Sequence, residues 1–132
     1  MLKKNDTITL GITDMTNLGV GVAHDDESGK TVFVQGGVTG DIASVLIIKV
    51  TSSYCVGRIV ELIEPSEHRI VPDCPVSKRC GGCSFCHITY EYELEIKRRY
   101  IESCLRKNRL EDIIVPPVLT NGHREGYRNK VQ

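Results

Sequence analysis

Four cysteines, Cys74, Cys80, Cys83 and Cys86, fall within thirteen residues, separated by five, two and two residues. Thiolates two residues apart can meet one metal ion or one cluster, because the intervening turn brings their sulfurs together. Gly81-Gly82 fills that turn between Cys80 and Cys83. Glycine permits positive φ there and lets backbone N–H groups point at a thiolate-ligated centre. Pro75 follows Cys74 directly, as proline follows the last cysteine of many iron–sulfur runs. Lys78 and Arg79 would offset the negative charge of such a centre. Three chemistries fit this pattern. They are an iron–sulfur cluster on three local cysteines and one remote one, a tetrahedral zinc site of Cys74, Cys80, Cys83 and either Cys86 or His87, and plain reduced thiols in a core.

The remaining candidates are weaker. Cys55 sits in an alternating stretch and reads as a buried small hydrophobe. Cys104 falls on an apolar helical stripe and reads as core. His24, His68 and His123 lie in turn-like surroundings and read as surface side chains; His87, next to the cysteines, reads as a structural hydrogen-bonding group. The start of the chain has a basic pair, Lys3-Lys4, without an apolar core of signal-peptide length. A cytoplasmic location follows, where thiols stay reduced, so the six cysteines are not expected to be a disulfide framework.

The elements that must position these residues are legible from periodicity. Ile8, Leu10 and Ile12 alternate with polar residues over Asp6–Thr13, the period-two pattern of a half-buried strand. Gly19–Ala23, Thr31–Val34, Asp41–Val50 and Tyr54–Ile63 follow as further strands between turns. Five short strands at close spacing predict a mainly β fold with a small barrel over residues 1–64. Residues 65–88 form a cysteine cluster loop. Residues 89–132 open with a helix from about Thr89 to Asn108, its stripe built from Tyr90, Leu94, Ile101, Cys104 and Leu105. Glu93–Lys97, Glu95–Arg99 and Glu102–Arg106 are favourable i,i+4 pairs. Ile113-Ile114-Val115 is expected to be a strand ended by Pro116-Pro117, the start of an α+β region. The chain then runs to Tyr127-Arg128-Asn129-Lys130 without a closing element, so a continuation is expected.

At 132 residues the chain suits one ordinary domain or two small ones. No apolar stretch approaches the roughly 20 residues of a membrane span. The net charge of zero hides an asymmetry: residues 1–65 carry five Lys/Arg against eight Asp/Glu, and residues 66–132 carry twelve against nine. The halves are thus −3 and +3. The strongest basic run, Lys97-Arg98-Arg99, can attract phosphate or serve simply as a solvated helix face.

The string Cys74-Pro75-Val76-Ser77-Lys78-Arg79-Cys80-Gly81-Gly82-Cys83, followed by His87, Tyr90, Leu94, Lys97 and Tyr127-Arg128-Asn129-Lys130, resembles the amino-terminal part of bacterial 23S rRNA (uracil-5-)-methyltransferases. The barrel resembles their TRAM domain, an OB-like RNA-binding module, in Gly19–Ala23, Phe33-Val34, Gly40-Asp41, and Pro65-Ser66 with Arg69. The resemblance covers essentially the whole chain. It implies that Cys74, Cys80 and Cys83 hold three corners of a [4Fe–4S] cluster, with a fourth ligand beyond Gln132. Cys86 departs from the pattern, where the family usually has glutamine, and is the local alternative for that fourth ligand. The resemblance also implies that S-adenosylmethionine, the nucleophile and the general base belong to a catalytic domain this chain does not contain, so no residue here is catalytic. RNA is the implied partner, 23S rRNA in particular, and the protein is expected to be a monomer with no membrane contact. Expected contacts are Phe33 for stacking, Lys49 and Arg58 for phosphate, and the basic helix residues Lys97 and Arg98. The −3 balance of the barrel half stands against a strongly basic surface there. The rival readings are a self-contained small zinc or iron–sulfur protein and a tRNA-directed member of the family.

Overall fold

The computed structural model describes residues 1–130 and falls into two compact units, residues 1–89 and residues 90 onward. The first unit holds six strands: β1 (Thr7–Gly11), β2 (Asp14–Met15), β3 (Gly21–His24), β4 (Thr31–Gln35), β5 (Ile42–Val50) and β6 (Tyr54–Glu64). They form one curled sheet in the order β1-β5-β6-β4-β3-β2. The barrel class expected from the sequence is observed with one strand more than the five expected. The first strand is cut short at Gly11 because Thr13 changes partner. Ile12 N–H still donates to Asp41 O at 2.8 Å, but Thr13 N–H donates to Val22 O at 2.8 Å, and β2 then pairs with β3. One continuous segment thereby supplies both edges of the sheet, which leaves few strand-edge groups unpaired.

All pairings are antiparallel except β4 with β6, which run parallel. The inner face packs Leu10, Ala23, Val32, Val34, Ala43, Val45, Ile47 and Cys55 into one core. Small and large residues alternate across it: Gly21, Val34, Gly57 and Ile47 stand in successive register across β3, β4, β6 and β5. A Cβ on Gly57 would come 2.4 Å from Val45 Cγ1, so glycine is required for the strands to approach.

After the sheet, Arg69 and Ile88 form an isolated antiparallel bridge, flanked by Ile70 N–H to His87 O at 3.0 Å and Thr89 N–H to His68 O at 2.9 Å. The cysteine segment is therefore a closed loop with its feet stapled together. It contains one short helix, α1 (Ser77–Cys80).

The second unit is led by α2 (Tyr90–Lys107), matching the expected helix. Its most buried residues are Tyr92 and Ile96, the i,i+4 spacing of the expected stripe displaced by two positions; Ile101 is exposed. Cys104, expected in the core, is only half-buried. Glu93–Lys97 and Glu95–Arg99 pair as expected, and Arg98–Glu102 is a further i,i+4 pair. The chain after α2 folds back along it through Arg98 Nε to Val115 O at 3.1 Å and Arg124 Nε to Glu93 Oε2 at 3.1 Å. The strand expected at Ile113–Val115 does not form. Its apolar side chains have no sheet to join, Ile114 is 87% exposed, and Pro116-Pro117 cannot donate to a ladder. The expected α+β beginning is thus a helix with an irregular return among the described residues, which exclude Val131 and Gln132. No helix among them is long and apolar enough to cross a membrane.

Candidate nucleic-acid interface and cysteine loop

Register places the expected contact residues of the barrel together. Lys49 stands opposite Val56, Val56 opposite Phe33, Phe33 opposite Val22, and Val22 opposite Asp14. Partners in register share a face of the sheet, so these five residues make one row across the outer face. Tyr54 and Arg58 flank Val56 at two-residue spacing on the same strand, and so project from the same face. Phe33 is half-buried rather than core. Its ring meets the edge of Tyr54 at 5.5 Å between centroids and 71° between planes. The face thus offers an aromatic pair set among two valines, with exposed Lys49 and Arg58 on one side and exposed Asp14 at the far edge.

Tyr54 was missed in the sequence reading. The signal was present in the alternation of β6, where Tyr54, Val56 and Arg58 take the outer face and Cys55 and Gly57 the inner. Lys49 reaches the face by a different route. Strict alternation from Val45 and Ile47 would turn it inward, opposite Cys55. A register shift between Ile47 and Lys49 puts it opposite Val56 instead, outside. A bulge that re-aims one side chain is a common device at binding surfaces.

Lys97 and Arg98 lie in the second unit. Lys97 Nζ is 2.8 Å from Glu93 Oε1, and Arg98 pairs with Glu102 at 3.3 Å. Both cations are thus already partly neutralised by their own helix.

In the cysteine loop, Ser77 N–H donates to Cys74 O at 3.2 Å and Cys80 N–H to Val76 O at 2.9 Å, so Cys74 leads directly into α1 and Cys80 ends it. Gly81 caps the helix in the left-handed conformation, φ 65°, as a residue without a Cβ can do at little cost. Gly82 serves a second need: a Cβ there would stand 3.2 Å from Cys80 Sγ, so the glycine leaves room for that sulfur. Cys74, Cys80 and Cys83 are exposed, and all six cysteines are free thiols. Cys86 is half-buried, its Sγ 3.9 Å from Cys83 O. The donor chemistry and the glycine turn suit attachment of a thiolate-ligated group. The sulfurs are not gathered, however: among the described residues no three Cys, His, Asp or Glu side chains stand close enough to hold a metal ion.

The feet of the loop are tied to the sheet by a buried ion pair. Asp41 is fully buried, and its carboxylate accepts Val38 N–H at 2.8 Å, Ser66 N–H at 2.9 Å and Arg69 Nε–H at 3.1 Å. Burial alone pushes this carboxyl up, but the Arg69 guanidinium and the two backbone donors outweigh it and hold it below the usual carboxylate value.

The chain is similar to proteins of three kinds. The TRAM domain family matches residues 2–60, which hold β1 to β5 and the first part of β6. A Clostridium tetani protein named as an uncharacterized RNA methyltransferase is 37% identical over 131 residues, covering 99% of this chain and 28% of the relative. Proteins of the same name are 36% identical over 132 residues in Bacillus cereus, covering 99% and 28%, and 38% identical over 128 residues in a Nostoc species, covering 96% and 27%. This chain therefore spans about 28% of the length of the curated relatives it matches. A solved structure of a conserved Methanococcus maripaludis protein is 25% identical, with a TM-score of 0.42, over 45% of this chain and 81% of that one. On the family match, residues 2–60 of the chain are a TRAM domain.

Proposed function

We propose that this chain holds RNA for an RNA methyltransferase, and that the outer face of the TRAM sheet is the surface that grips it. The observation that carries this reading is the row Lys49–Val56–Phe33–Val22 with Tyr54 and Arg58 beside it. Unpaired bases stack on aromatic side chains whatever their sequence, and cations alongside take the phosphates. The apolar floor of Val22 and Val56 suits a base lying on the sheet, and the position of Lys49 and Arg58 sets the side on which the backbone runs. Asp14 repels phosphate from the opposite edge.

The finer reading is methylation of uracil C5 in 23S rRNA, with S-adenosylmethionine as methyl donor. In that chemistry a thiolate adds to C6 of the base, C5 takes the methyl group, and a base removes the C5 proton. Those three roles are assigned to no residue of this chain, which contributes binding and orientation as a monomer. Cys74, Cys80 and Cys83 are proposed to hold a [4Fe–4S] cluster, with the fourth ligand either Cys86 or a cysteine outside these 132 residues. Such a cluster would brace the loop by cross-linking its three arms. The donor set, the Gly81-Gly82 turn and the length of the named methyltransferase relatives support this.

Fluorescence anisotropy with single-stranded, hairpin and duplex rRNA segments tests the interface. Each stacked base contributes about 1–3 kcal/mol, so Phe33→Ala should weaken binding about 5- to 150-fold for unpaired targets. Unchanged affinity in Phe33→Ala/Tyr54→Ala protein would remove this face from the interaction. Equal binding of tRNA segments would redirect the target.

A further inference from the structure

The cysteine loop, tied to the barrel at Arg69, also rests on it at Ser84, ahead of the Ile88 foot, and it does so at one glycine. Gly19 lies in the turn between β2 and β3, buried, with φ 77°. Its amide donates to Thr16 O at 3.0 Å, and Val20 N–H donates to Thr16 Oγ1 at 3.2 Å, so the turn is braced from within. A Cβ built on Gly19 would overlap the carbonyl oxygen of Ser84, and would lie 2.8 Å from its carbonyl carbon and 3.3 Å from its Cα. The backbone of the segment between Cys83 and Cys86 is thus seated directly on the backbone of the TRAM turn. Positive φ alone would explain a glycine here, but Gly29 shows that this is a separate matter. Gly29 has φ 67° in the β3–β4 hairpin and nothing within 4 Å of its would-be Cβ.

We propose that Gly19 is a positioning residue for the cysteine loop: by admitting Ser84 against the turn, it fixes where Cys83 and Cys86 stand relative to Cys80. Together with the Asp41–Arg69 tie at the feet, this anchors the loop at both ends of its length to one rigid sheet. Residues held at two points lose less freedom when a ligand gathers them, so the barrel pre-orders the cysteine loop for whatever it binds. In the other direction, a ligand that binds only the ordered loop stabilises the barrel turn. The proposal rests on the loop geometry and holds whether or not RNA binds the sheet.

The test compares Gly19→Ala with Gly29→Ala in the full chain. Both introduce a Cβ at similar positive φ, and only the first displaces Ser84. Two readouts are followed in reduced protein: the rates at which single-cysteine proteins retaining only Cys83 or only Cys86 react with a soluble aromatic disulfide, and thiolate-to-metal absorption on titration with Co²⁺. Gly19→Ala should raise the Cys86 rate several-fold and weaken Co²⁺ binding at least tenfold, with the far-UV spectrum retained. Gly29→Ala should leave both unchanged. Indistinguishable behaviour of the two variants would overturn the proposal. If Gly19→Ala fails to fold, hydrogen exchange of the unaltered protein decides. The Gly19, Val20 and Ile88 amides should open together, and independent opening of Ile88 would equally overturn it.

Discussion

Removing the carboxylate of Asp41 should unlatch the cysteine loop from the barrel and destabilise the first unit by about 3–5 kcal/mol, the usual cost of breaking one side of a buried ion pair. The figure can be built from the structure. Asp41→Ala orphans the Val38 and Ser66 N–H groups, each a buried donor whose loss costs about 1–3 kcal/mol. Arg69 adds less, because its side chain is 20% exposed and keeps Gly36 O as an acceptor at 2.6 Å. Asp41→Asn retains the shape but turns an NH₂ group toward donors, and should cost roughly 2 kcal/mol. Against a typical total of about 5–15 kcal/mol, the alanine variant should lose much of its margin. Urea unfolding of the full chain at pH 7, followed by far-UV circular dichroism, measures these differences. The sign with pH is set by the lowered carboxyl. The folded state binds fewer protons than the unfolded chain, so this stabilisation is complete above the ordinary aspartate pKa and is lost as pH falls through the lower folded value. In Asp41→Asn that acid-sensitive part should disappear. A loss below about 1 kcal/mol in Asp41→Ala, or strict additivity with Arg69→Ala in a double-mutant cycle, would refute the reasoning.

Further outcomes follow from the same geometry. Lys49→Ala and Arg58→Ala should each reduce the slope of log affinity against log salt by about 0.7–1. Lys97→Ala/Arg98→Ala together should reduce it by less than either, since Glu93 and Glu102 already pair with those cations; salt titrations of RNA binding compare them. Ile47→Ala, at a fully buried core position, should cost about 2–5 kcal/mol in urea unfolding, and Ile47→Val about 0.5–1.5. In protein purified without oxygen, Cys74→Ser, Cys80→Ser or Cys83→Ser should each abolish bound iron. Cys86→Ser should leave it, and loss of iron in that variant would make Cys86 the fourth ligand.

Where information is local, the sequence was enough. Period-two alternation located the long strands to within one or two residues, because a half-buried strand must repeat its apolar residues at every second position. The helix over Tyr90–Lys107 was likewise written in its charge order and three-to-four spacing. The cysteine spacing and the glycine turn between Cys80 and Cys83 named a candidate ligand set without any fold. Three things were decided only by the tertiary structure. The split of the first strand into β1 and β2 depends on which neighbour offers Thr13 an acceptor, and it is Val22 of β3 rather than the β5 side that still takes Ile12. The outward aim of Lys49 depends on a register shift that no pattern within β5 records, since alternation alone would have buried it. The meeting of Asp41 with Arg69, and of Gly19 with Ser84, joins positions 28 and 65 residues apart. Local propensity carries no information about such pairs. They are selected when the whole chain buries its core, because only the folded sheet brings their backbones within reach.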